Sequence, residues 1–179
     1  LKMIVTPDGG TEQSPEKWWT AFLTASKKLI AQMDEPTRIR AICCSTQGEG
    51  TIPVDEKGEA LMNCILWMDM RGASSLAKQF KGHVNLTGAG LQQTFKWIRL
   101  TGGMPSMTGK DPAAHMLLVR DQFPEVYQRT YKFLNVLDFM NLKLTGRFVA
   151  TFDSILTSWV TDNRNPDGIH YDDDLVRAS

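Results

Sequence analysis

Residues 41–71 read AICCSTQGEGTIPVDEKGEALMNCILWMDMR, and the fold follows from how this stretch alternates apolar runs with polar turns. The run Ile39 to Cys44 is small and apolar and fits a largely buried strand. It stops at Ser45-Thr46-Gln47-Gly48-Glu49-Gly50, where glycines bracket a carboxylate and polar side chains crowd together. The chain returns through Thr51 to Val54, turns at Asp55-Glu56-Lys57-Gly58, and enters a third apolar run, Cys64 to Met68, that ends at Asp69-Met70-Arg71. Three strands with polar residues at their ends are expected. Gln47 and Glu49 are expected to face a cleft, with Ile42 and Cys44 buried behind them.

Composition narrows the classes. The chain has 179 residues, 42% hydrophobic and 22% charged, enough for one domain that buries roughly 70% of its unfolded surface. Twenty basic and twenty acidic side chains balance to a net charge of zero. No broad field attracts nucleic acid or an anionic membrane, and a small, mostly neutral substrate fits better. Cys43, Cys44 and Cys64 sit in apolar runs, an odd count with two adjacent, which reads as buried free thiols in a reducing cytoplasm. No apolar run approaches the ~20 residues that span a bilayer, and a signal-peptide core is absent, so a soluble cytoplasmic protein is expected.

Outside the central stretch, Ser14 is placed as an N-cap, Pro15 as the first helical residue and Glu16 as the acid that complements the helix dipole. The helix should run to about Met33 with Trp18, Phe22 and Leu29 on its core face. Further helices are expected over Ala73–Phe80, over Leu91–Leu100 with Leu91, Phe95 and Ile98 on one side, from Asp111-Pro112 to Gln122, and from Asp138 to Leu144, ended by Gly146. Lys132 to Val136 reads as a strand. Asp172-Asp173-Asp174 reads as an acidic helix start.

Several chemistries fail on spacing. Gly103 to Lys110 departs from a phosphate loop in its glycine spacing and in Asp111, which stands where Ser or Thr is required. His83, His115 and His170 lie far apart without ligand-spaced partners, so no metal site is expected, and they read as surface or helix residues. Asn85-Leu86-Thr87 matches a glycosylation sequon, but without a secretory signal it is expected to stay unmodified. The Gln47–Glu49 turn remains. Its amide and carboxylate suit paired hydrogen bonds to hydroxyls, and its glycines allow close backbone approach, although an exposed polar turn has the same composition. Asp69 and Arg71 end a strand where ligands of open α/β folds gather, or form an ion pair that fixes the next segment.

The strand ending in S-x-Q-x-x-G at Ser45–Gly50, the D-x-x-G turn at Asp55–Gly58 and Ile65-Leu66-Trp67 with Asp69 and Arg71 resemble the amino-terminal domain of the FGGY carbohydrate kinases. So do Ser14-Pro15-Glu16-Lys17-Trp18-Trp19, Phe123-Pro124-Glu125-Val126-Tyr127, Leu137-Asp138-Phe139 and Leu144-Thr145-Gly146. The resemblance covers most of the chain. It implies an α/β fold, part of an actin-like, ribonuclease-H-like domain, with a mixed sheet and flanking helices.

It also implies transfer of the γ-phosphoryl of ATP, with Mg²⁺, to a hydroxyl of a xylulose-like sugar or a polyol. Implied partners are that small molecule and ATP, with a homodimer left open. The family's substrate residues map onto Gln47, Gly48 and Glu49, and Asp69 and Arg71 join them as pocket candidates. Gly48-Glu49 stands where xylulokinases carry Met-His and glycerol kinases Arg-Glu, so Glu49 agrees with the latter while Gly48 lacks a side chain. The family's first D-x-G-T hairpin and its catalytic aspartate do not occur in this sequence. Residues 1–179 are therefore expected to be most of the sugar-binding domain of a longer kinase, with the catalytic residues beyond Ser179 and a nucleotide domain after them. A carbohydrate-binding module that has kept the fold without the nucleotide machinery is the alternative.

Overall fold

The computed structural model describes residues 1–80, 85–86 and 89–179. In chain order the elements are β1 Ile4–Val5, β2 Thr11–Gln13, α1 Pro15–Ile30, β3 Gly50–Val54, β4 Cys64–Leu66, α2 Ala73–Gln79, β5 Asn85–Leu86, β6 Ala89–Gly90 and α3 Leu91–Thr101. Then follow α4 Pro112–Gln122, α5 Pro124–Arg129, β7 Lys132–Leu134, α6 Val136–Thr145, α7 Phe152–Leu156, β8 Thr161–Asp162, β9 His170–Tyr171 and α8 Asp173–Ala178. His83 and Thr87, and with Thr87 the sequon, lie outside the described residues.

One sheet of order β1-β2-β4-β3-β7 carries the fold. Gly50 pairs with Leu66 and Thr51 with Ile65 across β3 and β4, while Ile52 pairs with Leu134 across β3 and β7. The α/β class with flanking helices is as expected. Where a mixed sheet was expected, every pairing among the described strands is antiparallel. The turn after β3 is tight because the Asp55 carboxylate accepts the Lys57 and Glu59 amides, both at 2.9 Å, and Gly58 takes the left-handed φ of +80°. All of β3 is buried. Ile52 and Val54 pack with Cys64, Leu66, Val136 and Phe139 in one core, and a second core gathers Leu76, Phe80, Trp97, Ala114, Leu117 and Leu175.

Helix ends obey local chemistry. Ser14 accepts the Lys17 amide at 3.4 Å with Pro15 in the first turn, Gly146 ends α6 at φ +67°, and Asp172 accepts the Leu175 amide at 2.9 Å to open α8. Asp111 behaves differently. Its carboxylate accepts the Ser106 amide at 2.7 Å and the Trp159 indole N–H at 3.0 Å, pinning the loop before α4 instead of capping the helix.

Several expectations are corrected. Residues 39–44 are not a strand. Their composition suits one, but among the described residues no neighbouring strand takes their backbone hydrogen bonds, so the segment runs open. Ile42 is accordingly 60% exposed rather than buried. Cys43 is exposed and Cys44 half-buried, leaving Cys64 as the buried thiol, its pKa pushed up to about 12 by burial.

In α1, Trp18, Trp19 and Phe22 pack against the core, but Leu29 and Ile30 are exposed. In α3, Leu91, Phe95 and Ile98 face outward, and Thr94, Trp97 and Thr101 turn inward. Two interactions make that inversion favourable. The Trp97 indole buries a large ring and donates to the Trp159 carbonyl at 2.8 Å. The threonine hydroxyls donate to the Gly90 and Trp97 carbonyls, so both enter the core satisfied.

Candidate functional site

Gln47, Gly48 and Glu49 line one concavity of about 330 Å³, together with Cys44, Ser45, Thr46, Asn135, Leu137, Asp153, Ser154 and Thr157. Gly50, the first residue of β3, anchors the turn. A Cβ there would lie 2.8 Å from Val136 Cγ2 and 3.0 Å from Cys64 Sγ, so only glycine lets the strand start this close to α6. Among the described residues, no ion pair or hydrogen bond consumes the Gln47 amide or the Glu49 carboxylate. Burial raises the Glu49 pKa, and the charge of Asp111 raises it further.

Another part of the lining is a hydrogen-bonded cluster. Asn135 Nδ2 donates to the Ser154 carbonyl at 2.9 Å and to the Ser154 and Thr157 hydroxyls at 3.0 Å. Ser154 in turn donates to Asp138 Oδ2, which also receives the Asn135 amide at 3.4 Å. Asp138 is buried, and Asp138 Oδ1 and Asn135 Oδ1 have no partner among the described residues. Burial therefore raises the Asp138 pKa, with the Ser154 hydroxyl opposing.

Sequence reasoning missed this wall. The Asn135-x-x-Asp138 spacing of a helix start was the available signal for one half of it. Ser154 and Thr157 carried none, since they lie in a polar stretch without periodicity.

Asp69 and Arg71 do not line that concavity. Asp69 is fully buried and accepts the Arg71 Nη2 at 2.8 Å, the Arg71 Nε at 3.0 Å and the Thr11 amide at 2.9 Å. Arg71 also reaches Glu12 at 2.9 Å and Asp8 at 3.2 Å. Burial pushes the Asp69 carboxyl upward, but the guanidinium and backbone amides outweigh it and hold the pKa below the usual carboxylate range.

His115, read from sequence as a surface or helix residue, sits on α4 and is fully buried. Its Nε2 lies 3.1 Å from the Asp69 carbonyl and its Nδ1 3.1 Å from the Thr51 hydroxyl. A carbonyl only accepts, so Nε2 carries the proton and Nδ1 accepts from Thr51. Burial holds the imidazole pKa below its ordinary value, with the Asp69 carbonyl opposing. Asp8, Glu12, Asp69, Arg71, His115 and Thr51 thus tie β2, β3, α4 and the segment after β4 into one polar network.

The family model described as "FGGY family of carbohydrate kinases, N-terminal domain" matches residues 1–177. The chain belongs to the FGGY family of carbohydrate kinases. It is 29% identical over 153 residues to the xylulose kinase of Escherichia coli (strain K12), covering 84% of this chain and 28% of that protein.

Among solved structures, a xyloylose kinase from Brucella ovis matches with a TM-score of 0.80 at 23% identity, covering 100% of this chain and 34% of that one. A gluconate kinase from Lactobacillus acidophilus matches with a TM-score of 0.77 at 23% identity, covering 98% and 32%. These neighbours carry the actin-like ATPase fold, and the chain shares it. It spans about a third or less of each of these proteins. No helix among the described residues is long and apolar enough to cross a membrane.

Proposed function

We propose that this chain is most of the sugar-binding domain of an ATP-dependent kinase that phosphorylates a hydroxyl of a sugar or polyol, with Gln47, Gly48 and Glu49 as substrate residues. The observation that carries the reading is the concavity itself. An amide and a carboxylate without partners among the described residues share this concavity with Asn135, Ser154 and Thr157, whose hydroxyls and amide are oriented by hydrogen bonds. Vicinal hydroxyls need such paired donors and acceptors. In ionised form Glu49 accepts from two hydroxyls, and its partial burial strengthens each bond.

Asp69 and Arg71 enter the proposal as positioning residues, because their charges are spent on each other and on Glu12. The nucleotide side and the catalytic carboxylate are assigned to other parts of the polypeptide. Mg²⁺ would come with ATP. Among the described residues, no group of three or more His, Cys, Asp or Glu side chains is disposed to hold a metal.

The test is sugar-dependent ADP release by the full-length polypeptide with Mg-ATP, over pentuloses, hexonates and polyols. Glu49→Gln should weaken sugar binding by roughly 1.5–3 kcal/mol, the range for a hydrogen bond to a charged group. Unchanged affinity would remove Glu49 from the site.

A further inference from the structure

A buried imidazole is costly unless its ring nitrogens are matched, and at position 115 both are. Nε2 donates to the Asp69 carbonyl and Nδ1 accepts from the Thr51 hydroxyl, each at 3.1 Å. Core filling alone asks for no such match, since Leu118 and Val119 on the same helix are as deeply buried and purely apolar. What the imidazole adds is direction: each bond fixes its partner at a set place relative to α4.

The two partners lie in different parts of the fold. The carboxylate of Asp69 is held by Arg71 and by the Thr11 amide, so the Nε2 bond ties the ring to a point that does not depend on the Gln47–Glu49 turn. Thr51 stands two residues after Glu49, and Gly50 between them has no room for a Cβ beside Val136 and Cys64. With so short and confined a link, a shift of Thr51 is passed on to Glu49. The N-terminal end of the same helix carries Asp111, whose charge acts on Glu49. We infer that His115 is a positioning residue for the substrate site: through the Thr51 hydroxyl it holds the start of β3, and with it Glu49, in fixed relation to α4. This rests on the kinase reading above and adds to it a residue that touches no substrate. The imidazole is a second layer that sets the geometry of the first.

The experiment measures steady-state kinetics of the full-length polypeptide with Mg-ATP and the sugar or polyol it turns over best. Thr51→Val replaces the hydroxyl with a methyl group and leaves Nδ1 without its donor. His115→Gln can keep a donor for the Asp69 carbonyl but puts no acceptor at the Nδ1 position. Each should raise the KM for the sugar about tenfold while kcat and the KM for ATP stay within about twofold, the pattern of binding lost equally from ground and transition states. Thr51→Ser keeps the hydroxyl and should hold the sugar KM within about twofold of wild type. The double variant Thr51→Val/His115→Gln should be no worse than the more impaired single one, because the same bond is lost only once.

A merely structural histidine gives another pattern, lower urea midpoints with the sugar KM unmoved. That pattern, additive effects in the double variant, or a Thr51→Ser enzyme as impaired as Thr51→Val overturns the inference. Should His115→Gln fail to fold, the two Thr51 variants decide the matter alone. Glu49→Gln separates the inference from the reading beneath it. If Glu49→Gln weakens sugar binding and Thr51→Val does not, the inference falls and the kinase reading stands. If Glu49→Gln has no effect, or no sugar or polyol is turned over, both fall.

Discussion

Arg71→Ala is the perturbation that separates a positioning role from a substrate role for the Asp69–Arg71 pair. The guanidinium is the cation that faces the fully buried Asp69 carboxylate, with the Arg71 side chain itself only 10% exposed. Removing one partner of a buried pair costs about 3–5 kcal/mol, because the remaining charge is stranded. Here the Thr11 and Arg71 amides, both at 2.9 Å, still hold Asp69. The loss should therefore sit at the lower end, about 3 kcal/mol.

For 179 residues that corresponds to a fall in Tm of about 8 °C. Urea and thermal denaturation of the purified chain read it directly. Asp69→Asn in the Arg71→Ala background should recover stability by removing the stranded charge. Because the folded pKa of Asp69 is depressed, its contribution is present above the ordinary aspartate value of about 3.9 and is lost as pH falls below it. A loss under about 1 kcal/mol, the level of a solvated surface pair, would refute this reasoning and return Arg71 to the list of substrate contacts.

Other outcomes follow from neighbouring features. His115 is held neutral by burial, so the unfolded chain binds a proton that the folded one refuses. Stability should be complete above about pH 6.5 and fall as pH drops below it, and His115→Gln should flatten that slope in urea midpoints measured from about pH 5 upward. Gly109→Ala should cost about 3 kcal/mol in the same assay, since Gly109 sits at φ +80° and a Cβ there would lie 2.1 Å from the Ala73 nitrogen. Ile42→Ser should change stability by no more than about 0.5 kcal/mol, as befits an exposed side chain. A larger loss would mean that the segment is covered.

Much of the fold could be read from local chemistry because its signals are short-range. Ser14-Pro15, Asp55 to Gly58, Gly146 and Asp172 each act within one turn, and each does what its residue type predicts. Burial is a long-range property, and there the reading failed. Ile39 to Cys44 has strand composition, yet pairing depends on a neighbour that composition cannot specify. Leu91, Phe95 and Ile98 make the more apolar stripe of α3, yet Trp97 wins the core through one indole and its carbonyl partner.

The candidate site divides the same way. Gln47 to Glu49 stood out as a polar turn between apolar runs. Asn135, Ser154 and Thr157 reach it from a part of the chain about a hundred residues distant in sequence, through hydrogen bonds that no local pattern encodes.

Among the described residues, backbone hydrogen bonds hold the Gln47–Glu49 turn at one end only. Downstream, Gly50 enters the ladder opposite Leu66, and the next residue, Thr51, is clamped by His115. Upstream, residues 40–48 make no backbone–backbone hydrogen bond among the described residues. The turn thus resembles a door leaf hung on β3, whose free edge is the limb carrying Cys44 to Gln47. A ligand that bridges this limb to the Asn135 wall would latch the edge, and the entropy lost in latching is subtracted from its affinity. Tightening the limb beforehand should improve binding without a single new contact to the ligand, while loosening the Thr51–His115 clamp would shift the hinge line itself.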